Sequence, residues 1–327
     1  MIEVLQSGPL VSVQDLGRTA FRHIGVSNAG AMDRISLQIA NMLVCNDPEV
    51  AGIELTGCAL RLRITLDCCV AIAGADARPV LAGKTLPPFW AARVPAGAEL
   101  QLNVPSKGIR TYLAVSGGVD VPSVLRSRST DFKANFGGYM GRNLKAGDHV
   151  SVGQQSRVTE IPASGYGAYF PRFQEVLEGR IVLRVIVAGE FRNLIEESQQ
   201  AFWETEWNVS PSINRMGLRL QGGAPLHLRQ RTELLSHPIV PGVIQVPHDG
   251  LPIVQACDAN TCGGYPKAGV VIEADMWKLG QLRPGDTIVF VPVDQQQALY
   301  EKAKLIETLE AIGRDGALVR HWETAAC

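Results

Sequence analysis

The chain has no surplus of positive charge: among 327 residues, 31 Lys and Arg face 32 Asp and Glu, a formal net charge of −1. That balance argues against a nucleic-acid partner or a polybasic membrane anchor, both of which need clustered cations. It also lacks any apolar run long enough to span a bilayer. Its first residues, MIEVLQSGPL, show neither a basic n-region nor an unbroken apolar core, so no secretory signal is expected and the location read is cytoplasmic. Seven cysteines form no Cys-x-x-Cys pair, and neighbouring Cys68 and Cys69 would face opposite sides of a strand. They read as reduced, mostly buried thiols. Six histidines give no His-x-x-x-His pair and no His-Cys cluster, so no bound metal is expected. What remains is an ordinary globular composition, 46% hydrophobic and 19% charged, long enough for two cores.

Strand signals dominate. Val11–Val13, Leu60–Leu66 and Leu100–Val104 alternate apolar and polar residues, the period of a half-buried strand. PAGAELQL from Pro95, KAGDHVSV from Lys145 and RPGDTIVFV from Arg283 share one design, a glycine turn followed by an alternating strand. Val243–Val246 and Leu251–Cys257 flank Asp249-Gly250, the chemistry of a tight hairpin turn. Helices are few: 34–44 with Asp33 as N-cap, about 193–203, and 295–312 with Asp294 as cap. The polar stretch 154–169 is the linker candidate. The reading is mainly β with a few helices in two β-rich domains, 1–160 and 161–313, the second carrying the C-terminal helix, followed by a tail at 314–327.

Gly83-Lys84-Thr85 imitates the end of a phosphate-binding P-loop. The motif needs a glycine where this chain has Arg78, and a helix where it has Pro87-Pro88, so no nucleotide site is read there. Asp258 ends an apolar run beside a loop containing Gly263-Gly264-Tyr265-Pro266. A carboxylate beside bare main-chain amides suits a hydrolytic or group-transfer site, whereas a plain turn would have Asp258 accept from its own loop. Asp15 and Arg18 bracket Gly17, either as a turn closed by its own ion pair or as an anion clamp with Arg18 oriented by Asp15. Arg126–Asp131 packs two guanidiniums and three hydroxyls between glycine pairs, which a solvated loop or a carboxylate- or phosphate-binding loop would explain. Arg215 is either a surface charge or a partner of the Asp258 loop.

In this order the segments resemble one family, the C subunit of bacterial 5-oxoprolinase, within the group called allophanate hydrolase subunit 2 or biotin-dependent carboxyltransferase-like proteins. The resemblance is carried by GPLVSVQDLGR at Gly8, GVSNAGAMDRISLQIANMLV at Gly25 and RTYLAVSGGVDVPSVLRSRST at Arg110. NRMGLRL at Asn214, LLSHPIVPGVIQVPHDGLPIV at Leu234, DANTCGGYPKAGVVIEADM at Asp258 and QLRPGD at Gln281 complete it. The sequence departs from the family's pattern at Cys262, usually a hydroxyl residue, at Cys45, usually Gly, and at Gly189-Glu190, usually Gly-Pro.

The resemblance implies a cyclophilin-like β-barrel architecture and work beside two further subunits, A and B. Together they would hydrolyse 5-oxo-L-proline to L-glutamate with consumption of ATP, bound by an unspecified subunit. In that reading Asp258, Gly263, Gly264 and Tyr265 are catalytic, and Arg18, Asp15, Arg128, Ser129, Arg215 and Gln245 hold substrate or phosphate. Two other functions stay open. One is carboxyl transfer from biotin to a urea-like acceptor, with biotin carried elsewhere because this chain has no attachment sequence. The other is non-enzymatic binding or regulation of the B subunit.

Overall fold

Two compact units emerge from a computed structural model that describes residues 1–154, 161–177, 180–230 and 234–325. The first comprises Met1–Arg18, Ala29–Pro171 and the chain from Glu307 onward; the second comprises Thr19–Asn28 and Arg172–Ile306. Of the expected linker, 155–160 lie outside the described residues, and Tyr166–Gly167 form a strand of the first unit. The expected tail is helix as far as Ala325, because Gln295–Ala325 runs on through Gly313 and Gly316 into strong helix formers. Residues 326–327 lie outside the described residues.

Period-2 patterning builds the first unit. Leu60, Leu62 and Ile64 point inward while Arg61 and Arg63 point out, and Arg63 bonds Glu3 (2.8 Å) and Glu99 (3.0 Å) from the two flanking strands. These strands belong to a six-stranded sheet ordered His149–Val150, Ile2–Ser7, Leu60–Ile64, Glu99–Leu102, Val80–Leu81, Lys84–Thr85. A second sheet runs Tyr166–Gly167, Trp90–Val94, Cys68–Gly74, Arg110–Val115, Gly52–Thr56, Val11–Gln14. Residues of both sheets share one apolar cluster, each large side chain contributing about 2 kcal/mol of burial. Cys68–Gly74 is buried on both faces, since helix Arg34–Leu43 covers the side away from that cluster. Burial pushes the Cys68 and Cys69 thiols up to about 12 and about 11, so they stay protonated.

The helix 34–43 starts as its sequence requires. The Asp33 carboxylate accepts from the Ser36 amide (2.9 Å) and the Ser36 hydroxyl (2.6 Å). At its other end Cys45 (φ 60°) donates to Met42 and Asn46 donates to Asn41, a Schellman closure. The left-handed position at Cys45 is one where glycine is the unstrained residue.

The second unit is a closed barrel ordered Arg180–Val187, Lys267–Val271, Val243–Gln245, Ile253–Gln255, Gly217–Gln221, Trp207–Val209, Thr287–Pro292, the last pairing in parallel with the first. Its interior holds Phe202 stacked on Phe290 at 4.8 Å beside buried Trp207. The three repeated glycine turns are one turn used three times. Gly97, Gly147 and Gly285 have φ of 86°, 88° and 90°. The next residue donates three positions back, Ala98 to Pro95, Asp148 to Lys145 and Asp286 to Arg283. The hairpin at Asp249-Gly250 is longer than a tight turn, because pairing stops at Gln245↔Ile253. Pro247 and Pro252 cannot donate to a ladder, so Gly250 instead closes a turn onto the Pro247 carbonyl. Lys84-Thr85 is an exposed hairpin strand behind the two-residue turn Ala82-Gly83, which is no phosphate loop.

Candidate functional site

Register brings Arg215 and Asp258 together in the second unit. Gly217 pairs with Gln255 on adjacent barrel strands, so the residues just beyond them meet at one end. The Asp258 amide donates to the Arg215 carbonyl (2.8 Å). The guanidinium then grips the carboxylate with two bonds, Nε to Oδ2 at 2.9 Å and Nη2 to Oδ1 at 3.1 Å. Asp258 is 2% exposed, and such a bidentate pair offsets the cost of burying its charge. Of the two readings of Arg215, the one that reaches the Asp258 loop holds. The carboxylate is thereby fixed in direction.

The loop that follows packs where side chains would not fit. A Cβ on Gly263 would lie 2.7 Å from Gln245 Nε2, and one on Gly264 would lie 2.8 Å from the Leu234 carbonyl oxygen. Gln245 accepts from Gln255 Nε2 (2.9 Å) and donates weakly toward the Tyr265 carbonyl (3.4 Å). Tyr265 is 40% exposed and meets the His248 ring edge-on at 5.7 Å. Gly263 and Cys262 pair with His237 and Pro238, and the Cys262 thiol is exposed. Glu190 bridges that small sheet, contacting His237 Nε2 (3.1 Å) and accepting from the Lys267 amide (2.7 Å). Glu190 thus supplies a carboxylate that tethers the loop's neighbours.

Arg22 is a residue sequence reasoning missed. Its Nη2 donates to the carbonyls of Ile239 and Asn260 (3.1 Å to the latter), fastening segment 19–28 to the Asp258 loop. Its partners lie 217 and 238 positions away and no local motif announces them. Burial lowers its pKa, partly opposed by Cys262 nearby.

The remaining sequence-selected residues gather in the first unit. The Asp15 carboxylate accepts from the amides of Gly17 (2.8 Å) and Arg128 and from the hydroxyls of Ser127 (2.7 Å) and Ser129. The Ser129 hydroxyl also accepts from the Asp15 amide (2.9 Å). Arg18 is 1% exposed and faces Asp131 (3.8 Å), the Ser129 carbonyl and the Phe136 ring (4.7 Å), so the Asp15–Arg18 turn pair does not form. Arg128 is exposed, with Nε on the Val121 carbonyl (2.9 Å) and Nη2 3.8 Å from Asp120. Asp15, Arg18, Arg128 and Ser129 therefore form one cluster, and Asp258, Arg215, Gln245 and Gly263–Tyr265 another. Among the described residues, no three His, Cys, Asp or Glu side chains gather as metal ligands would, and no helix is long and apolar enough to cross a membrane.

Residues 24–292 match the family model of the carboxyltransferase domain, subdomain A and B. The chain is 40% identical over 299 residues to the 5-oxoprolinase C subunit of Escherichia coli (strain K12), spanning 91% of this chain and 93% of that protein. It belongs to the family of 5-oxoprolinase C subunits. The urea amidolyase of Saccharomyces cerevisiae (strain ATCC 204508 / S288c) is 32% identical over 99% of this chain, which spans 18% of that protein. Among solved structures, the Kluyveromyces lactis urea carboxylase superposes with a TM-score of 0.83 at 31% identity, covering 95% of this chain and 29% of that one.

Proposed function

We propose that this chain is the C subunit of an ATP-dependent 5-oxoprolinase, acting with A and B subunits in the cytoplasm to hydrolyse 5-oxo-L-proline to L-glutamate. The observation that carries the reading is the end-to-end relationship to the bacterial C subunit, of which this chain spans 93%. A five-membered lactam is a poor electrophile. Transfer of the ATP γ-phosphoryl to its carbonyl oxygen, with release of ADP, activates the ring carbon. Water then adds and the C–N bond breaks, nitrogen taking a proton, which leaves an acyl phosphate; a second water hydrolyses it to the carboxylate and phosphate.

Within that scheme Asp258, held in direction by Arg215, orients the water. Amides of the Gly263-Gly264 loop face the developing oxyanion, an effect of roughly 3 kcal/mol per donor.

Co-expression with candidate A and B subunits, followed by an ATP-dependent glutamate-release assay, tests the reading, with omission of this chain as control. Asp258→Asn is expected to lower turnover roughly 100-fold while the complex still elutes as one species. Turnover near the parent value would remove Asp258 from the chemistry. Carboxyl transfer is the second reading, favoured by the match of yeast urea amidolyase to 99% of this chain. It requires a biotinylated partner and bicarbonate dependence, neither of which the hydrolase needs.

A further inference from the structure

A cavity of about 450 Å³ opens in the first unit, lined by none of the residues assigned a role above, although its Asp120 and Val121 contact Arg128 and its Phe136 lies under Arg18. One wall is the run Asn135–Gly141, and the other is Val121, Pro122 and Val124. The first wall is unusual in its backbone. Asn135 and Met140 have φ of 53° and 57°, a left-handed conformation costing a side-chain-bearing residue about 1 kcal/mol. Gly137 and Gly138 adopt the same region, and a Cβ on either would collide with the Ser129 carbonyl or the Thr130 hydroxyl. The conformation is therefore built in by the floor beneath it.

That conformation leaves four consecutive donors unused. Among the described residues, none accepts from the main-chain amides of Gly137, Gly138, Tyr139 or Met140. Gly138 is buried, and a buried amide without an acceptor costs about 1–3 kcal/mol. The Phe136 and Tyr139 rings of the same wall carry the guanidiniums of Arg18 (4.7 Å) and Arg142 (5.2 Å), which are already paired with Asp131 and Asp148. Opposite them, Val121, Pro122 and Val124 are apolar. At the rim sit His149, Ser151 and the single carboxylate Asp120.

We infer that this cavity binds a small molecule through an oxyanion, a carboxylate or phosphate, seated on the amides of Gly137–Met140 with its apolar part against Val121–Val124. Successive unpaired amides recognise negative oxygen whatever group carries it. The volume suits a compact metabolite. The inference stands apart from the 5-oxoprolinase reading, since it predicts binding by this chain alone and concerns none of the groups around Asp258.

The test is titration of the full chain, labelled with ¹⁵N-glycine, against 5-oxo-L-proline, L-glutamate, ATP and inorganic phosphate in separate arms. At least one is expected to shift the Gly137, Gly138 and Gly141 resonances saturably below about 10 mM. The arm that does so names the source of the oxyanion. Ser151→Trp, placed on an exposed rim residue, is expected to weaken that binding roughly tenfold or more. Asp120→Asn, which removes the rim's negative charge, is expected to strengthen it roughly twofold at low salt. Resonances that stay still in all four arms, shifts indifferent to Ser151→Trp, or binding weakened by Asp120→Asn would each overturn the proposal.

Discussion

The two units carry their unfavourable terms in different forms. Among the described residues, all nine non-glycine residues in the left-handed region lie in the first unit, four of them between Leu125 and Met140. Among the described residues of the second unit, that region is occupied only by glycines, such as Gly242, Gly250 and Gly285. Their central carboxylates differ as well. Asp15 is satisfied by hydroxyls and amides, all neutral, whereas Asp258 is satisfied by a guanidinium. A neutral cradle assembles several chain segments around one charge. An ion pair fixes one direction and leaves little net charge behind. The first arrangement suits a structural hub, and the second suits a group that must aim at something.

The sharpest way to break this contrast is to remove one partner from each carboxylate. Arg215→Met strands a buried charge and is expected to cost about 3–5 kcal/mol, with Arg215→Met/Asp258→Asn recovering most of it. At Asp15 no such rescue exists. Asp15→Asn places a donor among donors and is expected to cost about 2–3 kcal/mol, confined to the first unit by hydrogen exchange. A double variant no better than Arg215→Met in urea denaturation would mean that the pair is not what holds Asp258.

Acid sharpens the contrast with a smaller effect. Burial works against the Asp275 charge, but hydrogen bonds from Arg184 and the charge of Lys278 outweigh it and hold the carboxyl below its ordinary value. Its folded pKa is thus depressed, so its stabilisation is full above the unfolded value of about 3.9 and disappears as pH falls through the folded one. Asp275→Asn is expected to flatten the second unit's stability loss below about pH 4 while the first unit's acid response, anchored at Asp148 by Arg142, is unchanged. Asp286, raised by burial, contributes with the opposite sign and is untouched by that variant. Equal acid curves for variant and parent would remove Asp275 from the account.

The smallest effect is a gain. Arg126 is exposed at φ 59°, in a two-residue turn closed by Val124 and Ser127. Arg126→Gly is expected to stabilise the first unit by about 0.5–1 kcal/mol, read as a rise in its urea midpoint. A loss would show that the guanidinium contributes more than the strain costs.

What the sequence could disclose follows the range of each interaction. Asp33 as a cap, the glycine turns at 97, 147 and 285, and the alternation at Leu60–Ile64 depend on neighbours a few positions apart, and composition records them directly. The Arg215–Asp258 grip spans 43 positions and was readable only as one of two options. Ser127 and Ser129 reaching Asp15, 112 and 114 positions away, left no trace beyond a hydroxyl-rich loop. Leu125-Arg126 gave no sign of a left-handed turn, because the residues that tolerate it are absent and the hub below enforces it.

Neither unit is one uninterrupted stretch of polypeptide: ten residues near the start, 19–28, group with the barrel, and the chain from Glu307 groups with the paired sheets. A gene cut once after Pro171 therefore yields two fragments that each lack a piece of themselves. During synthesis the ribosome must deliver the whole barrel before the paired sheets receive their last segment.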